Sequence, residues 1–267
     1  MGFNMENKIL SVIIPYFDET IEQIMPVLTS INNQVGVDFN AIECILVNDG
    51  NNNVLDPATL ETICRVPHRV IMMEENRGPG VARQVGIDNA KSEYVMFCDA
   101  DDVLHNVAIL GVFLQEIAAN KPDIISSTWL EECLDNNNKY VYVTHQNENT
   151  WMHGKVFRRK YLQENNIRFH EELRVHEDSY FLSLAAAFTE NRRYVDAPSY
   201  IWKYRKDSIT RRNGGEYTFT SIPEFNRAIE LSLDVIKDRN PKIMEYKFVQ
   251  YVLYNYFTLH QDMWLHP

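Results

Sequence analysis

Short apolar runs alternate with helically spaced apolar positions through the first hundred residues. Residues 9–15 (ILSVIIP) form a β-branched run of strand length that stops at Pro15. Over 19–33 the apolar positions Ile21, Ile24, Val27, Leu28 and Ile31 recur at the spacing of one helix face. Residues 42–47 (IECILV) predict a second buried strand, closed by the polar turn Asn48-Asp49-Gly50, and 69–73 (RVIMM) predict a third. A helix is expected over 80–90, introduced by Gly78-Pro79. A fourth strand over 94–98 (YVMFC) runs directly into Asp99. This alternation predicts an α/β fold, a mostly parallel sheet with helices on both faces. Beyond Asp102 the pattern changes. A helix is predicted over 107–119, a strand over 123–130, a turn at Asn136-Asn137-Asn138 and another extended run over 140–144. Residues 146–220 are richer in Arg, aromatics and polar turns. The spacing is helical again over 223–237 and 242–265, where Tyr246, Val249, Val252, Leu253, Tyr256 and Phe257 fall on one side. The chain shows no internal repeat and no low-complexity tract.

Composition narrows this picture. At 267 residues, with 45% hydrophobic and 24% charged, the chain has the make-up of a soluble globular protein able to bury one large core, with or without a smaller lobe. No apolar run approaches the roughly 20 residues that cross a bilayer. The start, MGFNMENKILSVIIPYF, lacks the features of a secretory signal, so a cytoplasmic protein without a transmembrane segment is expected. Cys44, Cys64, Cys98 and Cys133 have neither CxxC pairing nor zinc-ligand spacing and read as buried thiols. The net charge of −11 disfavours nucleic acid as a partner. That charge is unevenly spread: residues 1–150 hold 8 basic and 22 acidic residues, 151–215 hold 13 and 8, and 216–267 hold 5 and 7. An acidic half suited to a cation therefore precedes a basic segment suited to an anion.

In an open parallel sheet, ligands bind beyond the carboxyl ends of the strands. Those ends carry Tyr16, Phe17, Asp18 and Glu19, then Asn48, Asp49 and Gly50, then Asp99, Ala100, Asp101 and Asp102, so acidic groups crowd one rim. Like charges this close repel. A divalent cation removes that cost, and carboxylates with open positions suit Mg2+ or Mn2+. The same aspartates are also ordinary caps of turns and helices, and Asp102 stands where it would cap the helix that follows.

The segments SVIIPYFDE, ILVNDG and NRGPGVARQVGIDNAKSEYVMFCDADD, followed by WMHGKVFRRKYLQENNIRFHEELRVHEDSYF, resemble the family 2 glycosyltransferases in order and spacing over about residues 9–212. The resemblance implies a GT-A type, Rossmann-like, mostly parallel sheet flanked by helices, with a C-terminal helical lobe. The expected division is a 1–215 glycosyltransferase domain (1–105 nucleotide-sugar half, 106–215 acceptor and base half) and a 216–267 helical extension. It implies an inverting, hexosyltransferase-like enzyme that takes a sugar from a nucleotide-sugar donor, most often a UDP-sugar, with Mn2+ or Mg2+. On that likeness Pro15, Tyr16 and Glu19 lie along base and ribose, and Asp49 recognises the base. Gly78, Gly80 and Arg83 correspond to a G-x-G-x-A-R stretch in which the arginine meets phosphate; Gln84 stands where the family usually has Asn. Asp99 and Asp101 form the DxD motif with Ala100 between them. Asp101 is then the direct metal ligand and Asp99 lies nearer the ribose, with Asp102 able to replace or assist either.

The segment His176-Glu177-Asp178 resembles the family's ED motif, whose acid takes the proton of the acceptor hydroxyl. Asp178 is assigned as base and Glu177 as its partner, a pair that could be reversed; either acid also suits an ordinary helix start. The basic segment supplies Lys155, Arg158 and Arg159 before the base and Lys203, Arg205, Arg211 and Arg212 after it, with Lys203 and Arg211 as diphosphate candidates. Trp151 and His153 are candidates for the acceptor side. Without a Q-x-x-R-W motif or membrane helices, addition of single sugars is expected, to a glycan, protein or lipid-linked acceptor.

Three other readings compete. FCDADDV also fits the D-x-D-x-[TV] motif of haloacid-dehalogenase-like phosphatases, although that motif normally closes the first strand. A sugar-phosphate nucleotidyltransferase would need a Gly-rich basic loop where PYFDET stands. A non-catalytic nucleotide-sugar-binding module would not need the two acidic motifs together. The last two helices are expected to pack inward; a homo-oligomer through them is the alternative.

Overall fold

A computed structural model describes residues 8–52, 54–148, 150–206, 208 and 220–265, with 258–265 described by their backbone alone. Strands β1 (Leu10–Tyr16), β2 (Ile42–Asn48), β3 (His68–Met72) and β4 (Tyr94–Phe97) lie in the order β3-β2-β1-β4, all parallel. The sheet then continues with mixed direction through β8 (Lys155–Arg158), β6 (Ile124–Leu134), β9 (Arg192–Trp202) and the two-residue β5 (Val103–Leu104). The hairpin strand β7 (Tyr140–His145) pairs with β6. The mostly parallel first half matches the alternation expected of the sequence. β5, β8 and β9 do not stand out in the apolar pattern.

Helices cover both faces because the buried strands point alternate residues each way. Leu10, Val12 and Ile14 pack with α1 (Ile21–Asn32) and α4 (Ile109–Asn120) on one side. Ile13, Ile45, Val47 and Phe97 pack with α3 (Pro79–Asn89) and α6 (Glu177–Ala187) on the other. The remaining helices are α2 (Pro57–Ile63), α5 (Arg159–Glu164), α7 (Ile222–Lys237) and α8 (Pro241–Leu265). α1 starts two residues later than the apolar spacing suggests, because Thr20 caps it: its backbone N–H donates to Gln23 Oε1 at 2.8 Å. α3 lies directly on β1 because Gly86 has no side chain; a Cβ there would sit 2.4 Å from Ile13 Cγ2. α7 buries Ala228 and Ile236 against the α6 side of the core, and α8 packs on α7 through Tyr251, whose hydroxyl donates to Glu230, and through Tyr254 against Phe225. The stripe of α8 expected to pack inward instead faces outward, since Tyr251 and Tyr254 on another side make the contact. Among the described residues, no helix is long and apolar enough to cross a membrane.

Candidate active site

Because β1, β2 and β4 are parallel, their carboxyl ends share one rim, and the acidic residues that follow them converge there. Asp49, just past β2, accepts from the backbone N–H groups of Arg77 and Gly78, both at 2.8 Å, and from Asn76 Nδ2 at 3.0 Å. Its carboxylate thus ties the turn after β2 to the loop that begins α3. Burial pushes its pKa up while these donors pull it back. The turn is held close by Gly50, φ +73°, where a Cβ would lie 2.0 Å from the Glu75 carbonyl carbon. Replacing Asp49 with alanine leaves three donors short in a buried place. We expect a loss of about 2–4 kcal/mol, seen as a lower urea midpoint; an unchanged midpoint would show that other contacts hold the loop.

Pro15 and Tyr16 are buried at the end of β1, and the Tyr16 ring belongs to the core beneath the rim rather than lying open on it. Glu19 accepts from the Phe17 N–H at 2.9 Å, and burial raises its pKa, with Asp101 among the charges adding to the rise. Asp102 is fully enclosed. The Tyr200 hydroxyl donates to its Oδ2 at 2.6 Å and the Lys203 backbone N–H to its Oδ1 at 2.8 Å. It caps no helix, because Val103 and Leu104 form β5 against β9. Burial and the charge of Asp101 push its pKa well up. Ala100 is buried, and Asp101 pairs with Arg205 Nη1 at 2.8 Å, its pKa raised by burial and by Asp99.

Arg83 joins the two acidic motifs. From α3, Nη2 donates to Asp99 Oδ1 at 2.7 Å and Nη1 to Glu177 Oε1 at 2.8 Å. Burial alone would lower the guanidinium's pKa, but the two carboxylates raise it instead, so the bridge is charged. In this structure Arg83, the residue that the family likeness places at the phosphate, forms an ion-pair bridge between the two motifs. Asp99 is pulled down against its own burial by Arg83. Glu177 is pushed up to about 7, first by burial and then by Asp178. Gly80 makes room for this arrangement, since a Cβ there would lie 2.6 Å from Glu177 Cγ. Asp178, in the first turn of α6, is less enclosed than Glu177. It accepts from the Ser179 N–H at 2.7 Å, and burial raises its pKa against the pull of Arg83. The residue before the pair, His176, holds φ +56°, a left-handed conformation that costs a non-glycine residue energy.

His153 lies under the rim, stacked on Tyr200 with ring centroids 4.7 Å apart and bordered by Trp129, Trp151 and Trp202. Burial lowers its pKa to about 4, so the imidazole is neutral. Ligand atoms of Asp99, Asp102 and His153 lie within 4.8 Å of one another, so His153, expected on the acceptor side, joins the acidic motif instead. His153 is too enclosed to offer its ring face to an acceptor, whereas Trp151 and Trp202 are half-buried. Much of the basic segment is structural. Lys155 is buried and donates to Glu148 Oε1 at 2.9 Å and to the Trp151 carbonyl. Arg158 pairs with Asp123, and Arg159 donates to the Ser92 and Ala90 carbonyls. Lys203 lies beside the acidic rim through its backbone; Arg211 and Arg212 lie outside the described residues.

Residues 11–176 match the family described as glycosyl transferase family 2. The chain belongs to that family. The phosphatase motif overlaps the family's acidic motif at the end of β4, the fourth strand. Among curated relatives, EpsH of Bacillus subtilis is 24% identical over 228 residues, covering 78% of this chain and 64% of that protein. The succinoglycan biosynthesis protein ExoO of Rhizobium meliloti is 25% identical over 212 residues, covering 69% and 59%. The teichoic acid poly(glycerol phosphate) polymerase of Staphylococcus epidermidis is 27% identical over 255 residues, covering 89% of this chain but 34% of that one. The chain thus spans between about a third and two thirds of these relatives. Residues 1–349 of S. aureus TarS, solved in complex with UDP-GlcNAc, superpose with a TM-score of 0.68 at 20% identity, covering 90% of this chain and 69% of that chain, so the GT-A-like fold is shared.

Proposed function

We propose that this chain is an inverting glycosyltransferase that moves a single sugar from a UDP-sugar to an acceptor hydroxyl. The observation that carries the reading is the Arg83 bridge. It couples the DxD aspartate at the end of β4 to the ED pair at the start of α6, residues 78 apart in sequence. The UDP-GlcNAc bound by TarS supports a UDP-sugar as donor.

On this reading Asp178 takes the hydroxyl proton as the acceptor oxygen bonds to the anomeric carbon. The bond from that carbon to the diphosphate breaks on the opposite face, and its electron pair leaves with the nucleotide diphosphate. Glu177, locked by Arg83, holds the start of α6 in place. Asp49, Glu19 and the turn after β1 border the nucleotide. The exposed side of Trp151 and Trp202, with ring centroids 5.3 Å apart, offers a stacking surface to an acceptor sugar.

The donor set suits a divalent cation. Carboxylates whose pKa values are raised by mutual repulsion and burial, beside a neutral imidazole, are groups that a cation would stabilise. Two sets share Asp99: Asp101 with Asp99, and Asp102 with His153 and Asp99. Mn2+ or Mg2+ held there would neutralise charge developing on the leaving diphosphate.

The test is release of nucleoside diphosphate from a panel of UDP-, GDP- and TDP-sugars, with sugar transfer followed in the same samples. UDP-sugars alone are expected to turn over; hydrolysis of simple phosphate esters instead would favour a phosphatase. A chelator is expected to remove activity by at least about a hundredfold, and full activity in its presence would end the metal assignment. His153→Ala and Asp101→Ala then distinguish the two ligand sets. The variant that raises the metal concentration needed for half-maximal donor binding identifies the set in use, and no change in either would exclude both.

A further inference from the structure

The exposed stripe of α8 has a spacing and an extent of its own. Tyr246, Val249, Val252, Leu253, Tyr256 and Phe257 each keep between 48% and 61% of their surface in water. Tyr246, Val249, Leu253 and Tyr256 are spaced three, four and three residues apart, the a/d alternation of a coiled-coil seam, with Val252 and Phe257 flanking it. A helix packed on one neighbour needs a single apolar face. α8 has a second one, because α7 is met by Tyr251 and Tyr254 from another side. At about 150–250 Å² for a whole aromatic side chain, and less for Val and Leu, the exposed portions amount to roughly 600 Å². That exceeds an ordinary scattering of surface apolar residues and comes close to the roughly 800 Å² that each partner contributes to a standard interface.

Charge argues about what covers it. Helices that lie in a bilayer surface carry Lys and Arg along the polar face. α8 has two lysines, Lys242 and Lys247, near its start, and the chain as a whole carries −11, which opposes an anionic lipid surface. The six residues of the stripe are uncharged, and the charges that border it on the same face, Lys242 and Glu245 at its N-terminal end, are of opposite sign and offer no single-signed patch for a charged partner to match. A surface that is apolar, uncharged and of heptad spacing is complementary to itself, and a two-fold axis brings the same patch of both copies together. We propose that this stripe is a self-association surface on which a second copy of this chain docks its own α8. The pairing stands apart from the catalytic reading, since it uses neither the acidic rim nor the ED pair.

Sedimentation equilibrium on the chain from about 1 to 50 µM, the range expected for an interface of this size, tests it. The wild type is expected at twice the chain mass at the upper concentrations. The variant carrying Leu253→Glu and Phe257→Glu is expected at single mass, with the same melting temperature and far-UV circular dichroism. A wild type that stays at single mass, or a folded variant that stays at double mass, overturns the proposal. Should the double variant fail to fold, crosslinking replaces it. Leu253→Cys copies are expected to join through a short bis-maleimide, whereas Lys237→Cys copies at the far end of α7 remain at the wild-type background; equal yields overturn the pairing. Flotation with phosphatidylcholine vesicles is run in parallel. A chain of single mass that floats with the vesicles assigns the stripe to lipid and overturns self-association.

Discussion

Replacing Arg83 with methionine is expected to lower stability by about 3–5 kcal/mol at neutral pH, because it leaves a buried carboxylate without its counter-charge. The bridge is worth more than a surface pair because Arg83 and Glu177 are almost wholly enclosed. The loss should depend on pH in a defined direction. In the folded chain Glu177 titrates at about 7, above its ordinary 4.5. A group raised in this way contributes stability that is complete below the ordinary value and is lost as the pH rises through the folded one. Without Arg83, Glu177 rises further, and Asp99 loses the charge that pulled it down. Both carboxylates then resist ionising inside the fold, so the gap between variant and wild type widens from about pH 5 to about pH 8. Urea denaturation at both ends of that range measures it. Arg83 also holds down the pKa of Asp178, so the acid limb of kcat/KM should move to higher pH in the variant. Arg83→Lys should restore little, because an ammonium cannot reproduce the two-pronged fork that meets Asp99 and Glu177 together. A variant with wild-type stability at pH 8 and an unmoved acid limb would show that the bridge is incidental.

How far the sequence could lead to this site depended on whether the signal was local. β1, β2 and β4 are buried on both faces, and their apolar runs, interrupted only by the buried Ser11 and Glu43, announce them; the aspartates that follow are legible as the ends of those runs. α6 shows no periodicity because it too is buried on most sides: Glu177, Tyr180, Phe181, Leu184 and Ala185 share no single polar boundary. β9 is obscured for the opposite reason. It is half exposed, begins with two arginines and takes Pro198 at a shift of register against β6. The ED pair was found through its resemblance, not through its helix. The partners of Arg83 and Asp102 lay beyond reach, since Glu177 and Tyr200 are 94 and 98 residues away and an arginine suits a phosphate as well as a carboxylate. The α8 stripe makes the same point about faces. Spacing says which residues share a side of a helix, and only the fold says which side is covered.

Asp178→Asn is expected to reduce transfer by about 10²–10⁴-fold while leaving donor affinity within about twofold of the wild type. The substitution keeps the shape of the side chain and an oxygen to accept from the Ser179 N–H, so what it removes is proton affinity. In the wild type the carboxylate must be ionised to act. Burial raises its pKa, so kcat/KM should fall with decreasing pH at a point above the ordinary carboxylate value, and the residual activity of the variant should lack that limb. Glu177→Gln serves as the contrast. Its amide oxygen can still accept from Arg83, and the side chain is enclosed against Gly80, so a smaller loss is expected, expressed in stability as much as in rate. The comparison is decisive because the two acids are adjacent and differ mainly in what surrounds them. If Glu177→Gln abolishes transfer while Asp178→Asn retains it to within about tenfold, the roles are reversed. The Arg83 bridge would then be the device that sets the pKa of the base, and the Arg83→Met variant should lose activity in step with Glu177→Gln rather than through displacement of the Asp178 limb.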